Sequence, residues 1–162
     1  MNNKNEDTAM AYWLFKTEPD AFSIDDLVQR PNQTEPWDGV RNYQARNFLR
    51  DSIKVGDLVF IYHSSCKTVG IAGVAEVVKG GYPDVSQFNP ESNYYDIKAT
   101  TDKPRWYCVD VKHVESFNRV LPLCEIKAMP NITEIPLVTK GGRLSVMPVT
   151  ENEWQQLYAA AK

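Results

Sequence analysis

The first run of large apolar positions is Tyr12–Thr17 (YWLFKT), closed by Glu18-Pro19-Asp20, and it predicts a β-strand. Ser23 then stands where a helix N-cap belongs. Asp25 and Asp26 fall in the first turn, where the helix dipole favours acids, and Pro31 stops the segment SIDDLVQR. Asn32–Gly39 reads as a loop carrying Trp37. In Asn42–Ser52, Ala45, Phe48, Leu49 and Ser52 recur at i, i+3, i+4, while Asn42, Arg46 and Arg50 recur every fourth residue on another face; this predicts a helix.

Gly56-Asp57 is a turn. Leu58–Ser64 and Thr68–Lys79 are two β-rich runs close enough to form a hairpin. Gly70 and Gly73 inside the second run point to a bulge or a close backbone approach in a curved sheet. Gly80–Asp102 is polar and aromatic, a loop with room for one helical turn. Arg105–Phe117 alternates, with Trp106, Cys108 and Asp110 on one face and Tyr107, Val109 and Val111 on the other. Leu121–Met129 reads as a short helix ended by Pro130, Leu144–Val149 as a last strand, and Glu151–Ala161 as a helix with Trp154, Leu157 and Tyr158 inward. These elements imply an α+β fold: a small β-barrel of five to six strands, closed or nearly closed, with flanking short helices.

With 162 residues and 43% hydrophobic positions, one domain over residues 11–162 has ample material for a core, preceded by a loose polar tail at 1–10. No apolar run nears the roughly 20 residues that span a bilayer, so no membrane partner is expected. The net charge of -3 discourages a nucleic-acid reading until its distribution is considered. Residues 1–38 hold eight acids and three bases; the remainder is net positive, and Arg41, Arg46, Arg50 and Lys54 meet only Asp51. A solvated helix face is the more common outcome for such a run.

Enzyme signatures are sparse. Cys66, Cys108 and Cys124 are odd in number and form no CxxC, and His63 and His113 sit on separate segments, so neither a disulfide framework nor a metal site is expected. His63-Ser64-Ser65-Cys66 groups potential nucleophiles, but no GxSxG elbow accompanies them. Neither GxxxxGKS nor GxGxxG occurs, and Asp25-Asp26 is already explained by the helix start. No cofactor is expected. What remains is a set of planar and hydrogen-bonding side chains in Trp37–Gln44, Tyr62–Ser65 and Arg143–Met147, the types needed to stack on a flat heteroaromatic ring and read its edge.

YWLFKTEP, WDGVRNYQARNFLR, GDLVFIYHS, GIAGVAEVV, YPD, KPRWYCVDV and RLSVMPVT with a following EW resemble, in that order, the EVE domain family of the PUA-like superfamily, from Tyr12 to Tyr158. The resemblance implies a PUA-like barrel whose pocket accepts a modified nucleobase, 5-methylcytosine or a relative, in DNA or RNA. It makes Trp37 and Tyr62 candidate pocket walls and Asn42, Ser64 and Ser145 candidate readers of the base edge. Leu144 and Met147 would line the modification. Arg41, Arg46, Lys16 and Arg143 would meet phosphate or close the mouth, and His63 would face pocket or core. The implied function is a non-enzymatic, monomeric, cytoplasmic or nucleoid-associated module (nuclear in a eukaryote) that reads a modified base in nucleic acid. A nucleoside-like small-molecule sensor or enzyme using the same pocket is the alternative, and an adaptor using the aromatic segment Tyr82–Tyr95 a third reading.

Overall fold

A computed structural model describes residues 10–139 and 144–162; the expected tail, apart from Met10, and Arg143 lie outside the described residues. Strand β1 is Tyr12–Thr17, and a capping box closes between Ser23 and Asp26 at the start of helix α1, Ile24–Gln29. A 3-10 turn at Pro31–Gln33 leads to β2, Thr34–Pro36, in the stretch expected to be loop. Helix α2, Tyr43–Asn47, continues as a π-helical turn through Phe48–Ser52. Strands β3 (Leu58–His63), β4 (Gly70–Pro83) and β5 (Tyr107–Pro122) follow, then helix α3 (Leu123–Ala128), helix α4 (Pro136–Thr139), strand β6 (Val146–Val149) and helix α5 (Glu151–Ala161).

The six strands of the described residues join one mixed sheet in the order β2-β5-β4-β3-β1-β6. β1 runs parallel to β3 and antiparallel to β6; the remaining pairs are antiparallel. β4 and β5 run longer than their sequence patterns because four register shifts re-aim side chains along the ladder. Gly73 lies between two of them, where a Cβ would collide with the Glu115 carbonyl and with Ile24. The hairpin therefore bends there without a side chain in the way.

The sheet buries both faces. Trp13, Phe15, Val59, Ile61, Val77 and Val109 pack on one side with α1 and α2, whereas Leu14, Phe60, Ile71, Met147, Trp154 and Leu157 pack on the other beneath α5. That two-sided burial is why β1 reads as a continuous apolar run rather than an alternation. Trp37, just beyond β2 at one edge, has its ring 5.4 Å from Phe15 on β1, beside the opposite edge. At about 4.8 Å per strand a flat sheet would hold β1 and β2 roughly 19 Å apart, so the sheet curls back on itself.

The barrel does not close. Among the described residues no ladder joins β2 to β6. Both edge strands are short and each carries a proline, Pro36 and Pro148, which has no N–H to give a ladder. The expectation of five to six strands with flanking short helices stands, and the barrel expected to be closed or nearly closed has an open seam.

Candidate functional site

A cleft of about 500 Å³ opens in this seam. Lys16, Thr17 and Glu18 at the end of β1, with Ser145 just before β6, form one side; Glu35 and Pro36 of β2 form the other. Trp37 lies in it, with Phe22 beside it. Behind Trp37 is Phe15, tilted at 45°, while Phe22 meets it edge-on at 82° with 5.8 Å between centroids. Trp37 is thus a member of the core that also lines the cleft, and its amide bonds the Val109 carbonyl at 2.7 Å to fix its place. Arg30 lies over Phe22 at 5.0 Å and is held by Glu35 at 2.9 Å across the cleft's edge.

The far wall depends on a buried carboxylate. Asp84 Oδ2 accepts from the Gly39 amide at 2.8 Å and from Arg41 at 3.1 Å, and Oδ1 accepts from the Ser86 amide at 2.9 Å. Burial pushes the Asp84 carboxyl up, but the bonds from Ser86, Gly39 and Arg41 outweigh it and hold the group below the usual aspartate range. Arg41 also donates to the Val40 carbonyl, the Ser86 hydroxyl and, twice, the Tyr94 carbonyl. Its five N–H donors are all engaged, so Arg41 clamps the Tyr94 segment against the cleft. Gly39, at φ +83°, takes a conformation side chains disfavour, and the Tyr94 ring occupies the space its Cβ would need.

Charge in the cleft is mixed. Arg30 and Arg41 line it with Glu18, Glu35 and Asp38, while Lys16 borders it at the end of β1 and carries its ammonium 5.8 Å over the Tyr62 ring. Asp38 is pushed above the usual aspartate range by burial first, then by the nearby charges of Asp84 and Glu35. Burial lowers the Lys16 ammonium. The arrangement suits a flat, largely neutral ligand whose edge offers donors to carboxylates, with stacking surface supplied by Trp37 and Phe22. Among the described residues no group of three His, Cys, Asp or Glu side chains is placed to hold a metal ion, and no helix is long and apolar enough to cross a membrane.

Of the residues singled out from sequence, Trp37, Arg41, Lys16 and Ser145 come together here. Tyr62 lies on the opposite face of the sheet, 2% exposed among Leu14, Phe60 and Met147, with burial first and Cys66 second raising its hydroxyl to about 12. Met147 is fully buried in the same cluster, and Leu144 packs between the two. Strand alternation is the cause: β1 and β3 send every second side chain away from the cleft. Asn42 caps α2, accepting from the Ala45 amide at 2.9 Å. Ser64 ties β3 to β1 through its amide and the Thr17 carbonyl at 2.9 Å. His63 Nε2 accepts from the Ile24 amide at 3.1 Å and so caps α1. Arg46 bonds the Arg105 carbonyl at 2.6 Å, outside the cleft.

Phe22, Arg30, Glu35, Asp38 and Tyr94 line the cleft without having been singled out. Asp38 belongs to the Trp37–Gln44 set, and Tyr94 to the aromatic segment Tyr82–Tyr95 read as an adaptor surface. Nothing in the local pattern marks Phe22, Arg30 or Glu35.

Comparison with known proteins is consistent across sequence and structure. The EVE domain model matches residues 11–160. Human thymocyte nuclear protein 1 is 42% identical over 161 residues, covering 89% of this chain and 71% of that protein. A crystal structure of a Pseudomonas putida protein superposes with a TM-score of 0.90 at 53% identity, covering 94% of this chain and all (100%) of that one. Human THYN1 in complex with 5-methylcytosine-containing DNA superposes with a TM-score of 0.86 at 39% identity, covering 94% and 98% of the two chains.

Proposed function

The chain belongs to the EVE domain family, and from that membership we propose that it is a non-enzymatic module that reads a modified cytosine in DNA by holding the extruded base in the seam cleft. The observation that carries the reading is the cleft itself, where Trp37 and Phe22 lie beside the carboxylates of Asp38 and Glu35. The 5-methylcytosine DNA complex of its relative supports the choice of ligand. Cytosine offers an exocyclic amino group, which carboxylates accept well. Taking a base out of its stack costs a few kcal/mol, and an aromatic face returns roughly 1–3 kcal/mol per base. One added methyl contributes about 0.8 kcal/mol when buried, so discrimination of roughly fourfold over plain cytosine is expected. Binding without turnover fits a site whose Arg41 has every donor engaged and whose Arg30 and Glu35 are paired with each other.

The test is fluorescence anisotropy with matched oligonucleotides carrying cytosine, 5-methylcytosine or its oxidised forms, in DNA and in RNA, with free 5-methylcytidine as a further arm. Tighter binding of one modified DNA supports the reading. Equal affinity for all oligonucleotides overturns it, and strong binding of the free nucleoside alone moves the function to a small-molecule sensor.

A further inference from the structure

Beside the cleft the structure holds an ordered stack of side chains that the base-binding reading does not use. Tyr94 lines the cleft; the Arg41 guanidinium lies 5.4 Å from its ring centre and 5.3 Å from that of Trp106. Trp106 in turn stacks on Tyr43, with centroids 4.8 Å apart and 26° between planes, and the Arg46 guanidinium sits 5.0 Å over Tyr43. The stack runs ring, cation, ring, ring, cation from the cleft wall to the surface, where Tyr43 is 52% exposed. Arg105 completes the outer end by donating to the Tyr43 hydroxyl at 3.3 Å.

The arginines in and around this stack are not alike. Arg41 has all five donors engaged. Arg50 is neutralised by a two-point bond to its neighbour Asp51, both at 2.8 Å. Arg46 spends one donor on Asn47 and one on the Arg105 carbonyl, leaving three that no described hydrogen bond occupies. Arg105 has Asp96 nearby, but at 3.9 Å, and Asp96 has nearer partners in the Trp106 indole at 2.8 Å and the Lys98 amide at 2.9 Å. Arg46 is held over the Tyr43 ring and against the Arg105 carbonyl, Arg105 is held by the Tyr43 hydroxyl, and each fork keeps N–H groups that no described hydrogen bond occupies, the donors with which a guanidinium meets a phosphate.

We propose that the ridge of Tyr43, Arg46 and Arg105 is a second contact surface, gripping the sugar-phosphate backbone of the nucleotides that flank the one held in the cleft. This rests on the base-binding reading for its geometry, since Trp106 and Arg41 tie the ridge rigidly to the cleft wall. The ridge supplies sequence-independent affinity and register, and the cleft supplies the choice of base. The two contributions separate by their dependence on salt, because each phosphate neutralised adds about 0.9 to the slope of log affinity against log salt on duplex DNA.

The experiment is a salt titration of anisotropy-measured affinity for one duplex in modified and unmodified forms. It compares the wild-type chain, the double variant Arg46→Gln/Arg105→Gln, the double variant Arg46→Lys/Arg105→Lys, and Phe22→Ala as a cleft variant, with thermal melts alongside. The Gln double variant should lower the slope by about 2 and leave the modified-to-unmodified ratio unchanged. The Lys double variant should keep the slope, which a merely structural role for the two arginines would not require. An unchanged slope in the Gln double variant overturns the ridge, as does an equal loss in the Lys variant. If the wild-type chain shows no modified-base preference yet the Gln variant loses slope, the ridge stands and the cleft reading falls; loss of preference in Phe22→Ala at constant slope supports both.

Discussion

Trp154 and Trp37 are almost equally buried, 4% and 7% exposed, and lie on opposite faces of one sheet. Their surroundings differ. Trp154 stacks on Phe60 at 3.7 Å and 17° and on Tyr12 at 4.8 Å, and it belongs to α5, whose helix covers that face with Leu157 and Ala161. Trp37 meets its two aromatic neighbours at steep tilts and is reached from a loop rather than a helix. That loop is held by one carboxylate, Asp84. Exposure alone does not separate a residue that seals a core from one that floors a cleft. The difference lies in what is laid over it: a packed helix on one face, an unclosed seam on the other.

Truncating the two indoles is the hardest test of this contrast. Trp154→Ala should cost about 3–5 kcal/mol in urea denaturation and leave the affinity of the folded fraction for oligonucleotide unchanged. Trp37→Ala should cost a comparable amount and also remove binding, because the same ring serves core and cleft. Binding lost at unchanged stability would show that Trp37 is not part of the core and break the comparison. Asp84→Ala comes next, at about 3 kcal/mol, since it strands the half-buried Arg41 and frees the Gly39 amide. Its distinctive mark is local: proteolysis should become rapid in the segment around Tyr94 while α5 stays protected. Uniform loss of protection across both faces would contradict the assignment of Asp84 to the open side alone.

The unequal legibility of the two faces in the sequence has the same origin. α5 was readable to the residue, because Trp154, Leu157 and Tyr158 repeat at helical spacing; the structure adds Thr150 at its cap, accepting from the Glu153 amide at 3.2 Å. The capping signal at Ser23 was equally local and proved right. The open face is assembled from residues far apart in sequence: Phe22, Glu35, Tyr94 and Ser145 meet only because the sheet curls. No periodicity encodes that curl; it arises from register shifts such as the one beside Gly73, of which the glycine alone was visible. β2 was missed because three residues ending in proline carry no alternation to detect. Tyr62, expected as a wall, lies outside this cleft for a related reason. A YHS motif marks a segment, and only the strand's register decides which of its neighbours faces the cleft.

Two smaller effects refine the contrast, and the larger is Asn42→Ala. The cap it removes is worth about 1 kcal/mol, and because Asn42 lies outside the cleft, modified-base preference should survive. A lost preference at full stability would return Asn42 to the role of base reader and show that the cleft extends to the start of α2.

The smallest effect is a difference in pH response between the faces, carried by His63. Its Nε2 accepts from the Ile24 amide, which requires a neutral ring protonated on Nδ1. Burial lowers its pKa from the ordinary 6.5, with Asp25 and Asp26 pulling the other way. Because the folded value lies below the unfolded one, the stabilisation is complete above about pH 6.5 and is lost as pH falls through the depressed folded value. Ile24 follows Ser23 and the cleft residue Phe22, whose carbonyl accepts from the Thr17 hydroxyl at 2.7 Å. Acid should therefore loosen the open face first: amide exchange at Phe22–Ile24 should accelerate between pH 7 and pH 5 relative to α5. In His63→Gln, whose side-chain oxygen accepts the same bond without titrating, that acceleration should shrink. His113 is also lowered by burial but is present in both proteins, so it cancels in the comparison. Equal acceleration in the two proteins would remove His63 from the account and leave the two faces alike in their response to acid.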